Sequence, residues 1–237
     1  MRASLQAGYV LHTRPWRDNS LILEYFSREL GRVAMIAKGA KSRKTRGGSS
    51  AALLQPFTPL LCSWSGRSEL KTLTDCESAG QPVPLQGRKL YSGLYLNELL
   101  MRLLQHEDPY HTLFDHYDAA LGLLSQQQGE EIALRQFELR LLDELGYGFD
   151  LLSDGISGEA VDLDCWYNYH EEYGLVLASA DASDRLPRYR GADLASIKRG
   201  DFSGEARRCA KRLMRQALAT HLGDKPLKSR ELFQHLD

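Results

Sequence analysis

The chain is 237 residues long with 43% hydrophobic residues, enough for two or three small domains with buried cores. It has no run of about 18 uncharged apolar residues and no apolar leader of secretory length, so we expect a cytoplasmic protein without a transmembrane helix. The net charge of −1 hides a partition, because residues 1–80 sum to +6, 81–140 to −3, 141–184 to −11 and 185–237 to +7.

The first 80 residues show the pattern of short strands separated by turn signals. The predicted strands are residues 8–13, 20–27, 31–38, 59–64 and 69–75. In the third of these, Val33, Met35 and Ala37 share one face, as the two-residue period of a strand requires. Five such strands predict a small barrel, and the OB-fold is the five-stranded barrel that binds nucleic acids.

The pattern becomes helical after a linker at residues 81–84. Leucines and tyrosines at helical spacing predict a central, buried helix over residues 88–105. Asp108 followed by Pro109 predicts the N-cap and the first position of a second helix.

A third helix is predicted over residues 130–145, ended by Gly146, and a last one over residues 204–221. Between them, residues 147–195 break the helical rhythm and contain most of the acidic segment 141–184. This stretch also holds an aromatic cluster followed by a strand-like segment, which predicts a hairpin. The cluster consists of Trp166, Tyr167, Tyr169 and Tyr173.

Together these patterns predict an α+β protein. An N-terminal five-stranded OB-fold barrel over residues 1–80 would bind nucleic acid. A helical-bundle domain over residues 81–237 would follow, with a small, acidic, β-containing insertion at about 147–195.

Residues 38–46 form the clearest binding signal, with five basic residues and no acidic one. A cationic loop can follow a phosphate backbone without demanding a base sequence, although a loop kept polar for solubility is the alternative. Trp16 lies in a turn between Arg14 and Arg17 and is predicted to be exposed for base stacking, whereas the other aromatic side chains should fill the barrel. The loop cations are Lys38, Lys41, Arg43, Lys44 and Arg46.

A second basic set lies on the last predicted helix. Four of its cations recur at positions i, i+3, i+4 and i+7 and form one stripe, which we call the cationic stripe: Arg208, Lys211, Arg212 and Arg215. An apolar stripe on the opposite face would dock on the bundle. Since the helix has no acidic residue after Glu205, an anionic partner is favoured over a simple solubility surface.

Catalytic and metal-binding patterns are missing, so we expect no enzyme, no cofactor and no metal. The sequence has no phosphate-binding loop, dinucleotide turn, zinc-protease helix or nucleophile elbow. The four cysteines lack paired spacing and are interpreted as reduced, buried small side chains: Cys62, Cys76, Cys165 and Cys209. His111 and His116 would not converge on one helix face, which argues against a metal site with His106, Asp108 and Asp115.

Several ordered segments resemble the RecO family of bacterial DNA repair proteins, in its proteobacterial form. They span nearly the whole chain, at residues 10–16, 31–33, 37–40, 54–60, 90–95, 137–139, 145–148 and 225–233. The resemblance implies an OB domain, a helical domain with a small insertion, and function without nucleotide hydrolysis. Many family members carry a four-cysteine zinc site in the insertion, but here Cys165 stands alone, so no zinc is expected.

The resemblance also implies that the chain binds single- and double-stranded DNA and anneals complementary strands. With RecR it would help to place RecA on DNA coated by the single-strand-binding protein SSB. The residues expected to contact DNA are Arg14, Trp16, Arg17, Lys38, Lys41, Arg43, Lys44 and Arg46.

The family also binds the acidic, phenylalanine-ended tail of SSB in the helical domain. Such a tail needs an apolar pocket ringed by cations. The candidates here are Arg135, Leu139, Leu142, Arg208 and Arg212. Two alternatives stay open, an RNA-binding OB-fold protein and a metal-dependent nuclease that uses the scattered carboxylates.

Overall fold

The computed structural model of the protein describes residues 2–41, 44–45, 48–127, 129–179 and 186–233, without side chains at 44, 45 and 48–50. The chain divides into two compact units. The first unit comprises Met1–Gln127 and Pro226–Asp237, and the second unit comprises Gln128–Lys225. No helix in the described part of the chain combines the length and the apolarity needed to cross a membrane.

A closed five-stranded barrel occupies the start of the first unit. Its strands follow the order β1-β2-β3-β7-β6, in which only β3 and β7 pair in parallel. This arrangement confirms the predicted OB-fold barrel. The elements of this region are β1 (Arg2–Trp16), β2 (Ser20–Ser27), β3 (Gly31–Ala37), β4 (Lys44–Thr45), β5 (Gly48–Ser49), α1 (Ser50–Leu53), β6 (Pro59–Ser65) and β7 (Lys71–Ser78).

Strand β1 is longer than predicted at both ends. It begins at Arg2, six positions before the predicted start at residue 8, and it ends at Trp16, which was predicted to lie in a turn. Its early residues lack clean alternation, since Ser4 and Leu5 are both exposed. The pairing of β1 with β6 shifts register between Ala3 and Gln6, and Leu5 has a positive φ of 49°. This irregularity conceals the start of the strand from a search for a two-residue period.

Large aromatic side chains fill the barrel. Trp64 and Tyr25 are fully buried, and their rings meet edge to face at 6.0 Å. The Tyr25 hydroxyl lies within hydrogen-bond distance of the Gln6 and Leu60 carbonyl oxygens. Tyr9, Phe26 and Phe57 are buried as well, so the expectation that most of these rings form core is confirmed. Tyr9 and Phe26, however, pack against Phe114 and Tyr117 rather than filling the barrel.

The remaining helices of the first unit are α2 (Arg88–Leu103), α3 (His111–Ser125) and α7 (Lys228–Phe233). Asn97 of α2 donates to the Leu11 carbonyl of β1 and accepts from the Tyr117 hydroxyl of α3, which ties both helices to the barrel. The Glu98 carboxylate accepts hydrogen bonds from the backbone N–H groups of Lys228 and Ser229 and so holds α7 against α2.

The prediction that Asp108 caps the second helix is wrong. Helix α3 begins at His111, and its N-cap residue Tyr110 makes no side-chain capping bond. The backbone of Asp108 instead packs on Gly31, where an added Cβ would lie 1.8 Å from the Asp108 carbonyl oxygen. The preceding Glu107 N–H donates to the Arg32 carbonyl, so the segment before α3 is held by the barrel rather than by the helix.

The second unit contains α4 (Glu130–Glu144), β8 (Trp166–His170), β9 (Gly174–Leu177), β10 (Arg188–Arg190), α5 (Gly191–Lys198) and α6 (Gly204–Leu222). Its three strands form a sheet in the order β10-β8-β9, so the predicted hairpin is present. Gly146, at φ +80°, ends α4 as expected, and the Gly146 and Tyr147 N–H groups donate to the Asp143 and Leu142 carbonyls. Helix α5 begins inside the predicted insertion, extends past its end at residue 195, and was not predicted.

Candidate nucleic-acid interface

Several exposed cations lie close together at one end of the barrel, around the start of β2. Strand β1 pairs Trp16 with Ser20, and β3 pairs Ala37 with Leu21, so the ends of β1 and β3 flank the same end of β2. The Lys41 N–H donates to the Asn19 carbonyl at 3.3 Å, which places the loop after β3 beside the turn after β1. We call this region the rim surface: Arg14, Trp16, Arg17, Lys38 and Lys41.

Trp16 is available for stacking at this surface. Its side chain is 39% exposed, as predicted, and the Arg14 guanidinium carbon lies 5.9 Å from the centre of its ring. Alternation along β1 places Arg14 and Trp16 on the same face of the strand. The pair therefore offers an aromatic face and a positive charge together.

The rim surface keeps its positive charge. Within the described residues, no carboxylate forms an ion pair with Arg14, Arg17, Lys38 or Lys41, although Asp18 lies in the same turn. Of the remaining predicted DNA contacts, Arg43 and Arg46 lie outside the described residues, and Lys44 is described only in its backbone, in β4.

The opposite end of the same strands differs. There Arg28 pairs with Asp115 at 3.0 Å, and Arg32 lies 3.5 Å from Glu24. The Arg28 guanidinium lowers the pKa of the Asp115 carboxyl, which keeps the pair ionised. Cations at the β2–β3 hairpin are thus neutralised within the protein, whereas those of the rim surface face solvent.

The histidines near α3 belong to this hairpin contact. His111 lies 3.1 Å from Glu29, and His106 lies 3.3 Å from Glu24. Among the residues that the structure describes, no group of three or more His, Cys, Asp or Glu side chains is placed to hold a metal ion. These polar side chains connect α3 and the segment before it to the barrel.

The residues predicted to bind an acidic tail are of two kinds, buried and exposed. Arg135 is only 6% exposed, and its guanidinium lies 2.8 Å from Glu138 and 3.7 Å from Glu131. Leu142 is also buried, whereas Leu139 is half-buried. The side chains of Arg135 and Leu142 therefore lie inside the second unit rather than on its surface.

Arg208 and Arg212 are exposed on α6, and the predicted apolar stripe opposite them is buried. Arg208 forms an exposed ion pair with Glu205, and Arg212 lies over the Tyr189 ring at 4.9 Å while donating to the Arg188 carbonyl. Lys211 and Arg215 are exposed as well, and no described carboxylate pairs with them. These two cations were not chosen as site residues, although the spacing of the cationic stripe includes them.

Two of the four cysteines meet in the barrel. Cys62 of β6 and Cys76 of β7 are directly opposed, with their Sγ atoms 2.8 Å apart. The sequence spacing gave no sign of this contact, because it depends on the register of the β6–β7 hairpin. Cys209 is buried and Cys165 half-buried.

Comparison with known proteins identifies the family. The family model described as recombination protein O N terminal matches residues 1–82, and the one described as recombination protein O C terminal matches residues 84–231. A DNA repair protein RecO of Haemophilus influenzae is 48% identical over 234 residues, covering 98% of this chain and 97% of that protein.

Two further relatives carry the same name. The DNA repair protein RecO of Sodalis glossinidius is 48% identical over 237 residues, covering 98% of this chain and 88% of the relative. That of Aliivibrio salmonicida is 44% identical over 234 residues, covering 98% and 96%. With both family models matched in order and an OB-fold barrel followed by a helical region, the chain belongs to the RecO family of DNA repair proteins.

Proposed function

We propose that this protein is a recombination mediator that binds single- and double-stranded DNA and anneals complementary strands. With RecR it would help to load RecA on DNA coated by SSB. The observation that carries the proposal is the rim surface, where exposed cations that pair with no described carboxylate surround an exposed tryptophan on an OB-fold barrel. In this proposal residues 1–80 are the DNA-binding domain, and residues 81–237 are the helical domain that recruits partners.

The rim surface would bind DNA mainly through phosphates. Each Lys or Arg that neutralises a phosphate releases condensed counterions, so the affinity falls steeply with salt and depends little on sequence. Trp16 would add stacking on an unpaired base, a contact that every base can make. Arg43, Lys44 and Arg46 belong to the same basic stretch of sequence and would extend the track.

Annealing follows from the same electrostatics. Two complementary strands repel each other through their phosphates, and a cationic surface reduces that repulsion while leaving most base edges free to pair. This step needs no catalytic group, cofactor or nucleotide. We therefore propose a non-enzymatic role in the cytoplasm.

The cationic stripe supports recruitment of the acidic SSB tail. Arg208, Lys211 and Arg215 are exposed, and a surface ion pair such as Arg208–Glu205 is weak enough to exchange for a new carboxylate. Leu139 would supply part of the apolar contact. Arg135, Leu142 and Arg212 would support the site through the packing and hydrogen bonds described above.

The decisive experiment is annealing of complementary DNA strands coated with SSB, without ATP, in the presence and absence of the protein. The proposal expects faster annealing with the protein. Unchanged annealing would overturn it, as would an equal effect on RNA strands, which would favour the RNA-binding alternative. Magnesium-dependent cutting of the strands would favour the nuclease alternative.

A further inference from the structure

Cys62 and Cys76 occupy opposed positions of two paired strands. They are partners in the antiparallel β6–β7 register, and their Sγ atoms are 2.8 Å apart. Directly opposed residues in antiparallel strands have Cα atoms about 4.5–5.5 Å apart, which lies within the range of about 4.4–6.8 Å found across disulfides. The two thiols can therefore be joined by side-chain rotation with little movement of the backbone.

The two thiols differ in exposure. Cys62 is fully buried in the barrel core, whereas Cys76 is half-buried and packs against that core from its edge. Strand β3 pairs with β7 only at Lys71 and Thr72, so among the described strands Cys76 has β6 as its one ladder neighbour. An oxidant in solution thus reaches Cys76 before Cys62.

The chemistry of the pair matches this order. The contact with Cys76 and burial raise the pKa of the Cys62 thiol well above its usual value, so Cys62 carries little thiolate. The first attack on an oxidant therefore falls to Cys76. Cys62 is then held in place to resolve the product.

We propose that Cys62 and Cys76 form a reversible disulfide across β6 and β7 when the protein meets hydrogen peroxide. The Cys76 thiolate attacks the peroxide, the O–O bond breaks, and Cys76 becomes a sulfenic acid as one water forms. The Cys62 sulfur then attacks the Cys76 sulfur, the S–O bond breaks, and the hydroxyl leaves as water with the Cys62 proton. The two thiols lose two electrons and two protons, and hydrogen peroxide is reduced to two waters. A dithiol reverses the reaction by exchange at the more accessible Cys76 sulfur.

The test treats the native, reduced full-length chain with hydrogen peroxide, blocks remaining thiols, and digests the protein with trypsin. Cleavage after Arg67 and Lys71 separates the two cysteines, so a disulfide appears as one cross-linked peptide pair lighter by two hydrogens. We expect this pair before treatment with dithiothreitol and its loss afterwards. Oxidation of Cys76 to a sulfinic acid without a cross-link, or two thiols that both stay open to alkylation after unfolding, would overturn the proposal.

Two variants check the assignment. Cys76→Ser should abolish the cross-link and leave Cys62 reduced, whereas Cys165→Ser, a change at another half-buried cysteine, should leave the cross-link intact. If Cys76→Ser does not fold, the result on the unmodified chain still decides. A cross-link from Cys62 to Cys165 or Cys209 instead would refute the assigned pair.

Discussion

Lys71 and Glu107 form an ion pair in which the lysine side chain is 4% exposed and the glutamate side chain 42% exposed. Lys71 begins β7 beside β3, and Glu107 lies in the segment between α2 and α3 with a positive φ of 56°. The buried Lys71 ammonium is therefore paired with a carboxylate, that of Glu107, which belongs to the connection between α2 and α3.

This asymmetry predicts unequal costs for the two partners. Glu107→Gln leaves a buried charge without its counter-ion and should destabilise the first unit by about 1–3 kcal/mol. Lys71→Met leaves a carboxylate that water can reach and should cost less, and the double variant should be more stable than Glu107→Gln alone. Urea unfolding followed by tryptophan fluorescence measures this, because Trp64 is buried in the barrel. A larger loss for Lys71→Met would contradict the interpretation.

Gly31 is predicted to tolerate no side chain. Its φ is +67°, and a Cβ would lie 1.8 Å from the Asp108 carbonyl oxygen, so Gly31→Ala should lower the free energy of unfolding by about 2–4 kcal/mol. The matched control is Gly122→Ala on the exposed side of α3, where a Cβ meets no atom within 4 Å. That change should stabilise the helix by up to about 1 kcal/mol. Equal effects of the two substitutions would show that the close approach of Asp108 does not matter.

We predict that the Asp154 carboxylate makes the stability of the second unit depend on pH. Its carboxylate accepts hydrogen bonds from the Ile156, Ser157 and Leu177 N–H groups, which lower its pKa. A lowered pKa means that this stabilisation is complete above the unfolded-state value of about 3.9 and disappears as the pH falls through the folded-state value. Asp154→Asn should cost about 1–3 kcal/mol at neutral pH. The difference from wild type should shrink below about pH 4, and a constant difference down to pH 2 would exclude the carboxylate as its source.

The rim surface predicts a change in the salt dependence of DNA binding. Replacing Arg17, Lys38 and Lys41 by alanine should reduce the slope of log affinity against log salt by about 2–3, because three phosphate contacts disappear. Fluorescence anisotropy with single-stranded DNA from low to moderate salt measures the slope. A control with the same change in net charge replaces the exposed cations Arg140, Lys198 and Arg199 of the second unit. If both triple variants lose the same slope, total charge rather than the rim surface controls binding.

We predict that substitutions in the cationic stripe weaken binding of the acidic SSB tail without weakening binding of DNA. Arg208→Ala combined with Lys211→Ala should weaken binding of an acidic, phenylalanine-ended peptide roughly tenfold or more, since two charge-assisted contacts are removed. The affinity for bare DNA should change little. Arg140→Ala, at an exposed cation of α4, serves as the control. Parallel loss of peptide and DNA binding would show that one surface serves both ligands.

The sequence predicted those parts of the protein in which one local pattern controls the structure. Alternating apolar residues predicted the barrel strands, and Trp16 stood out because it lies between arginines in a predicted turn, although the structure makes it the last residue of β1. The start of α3 was missed because Asp108 is held by Gly31, a contact between distant parts of the chain. Helix α5, only eight residues long, is too short to show a helical period.

The residues of the binding sites were harder to predict than the strands and helices. Spacing alone cannot show that Arg135 turns inward to Glu131 and Glu138 while Lys211 stays free of described carboxylates. The same limit applies to Cys62 and Cys76, which are 14 positions apart and meet only through strand register.

The placement of α7 has a consequence for synthesis of the protein. Residues 226–233 complete the first unit through Glu98, but the ribosome makes them only after the entire second unit. The α2 surface that receives α7 therefore stays uncovered while nearly a hundred intervening residues are translated. A chaperone that shields this surface during that interval would act on a nascent chain whose second unit is still emerging.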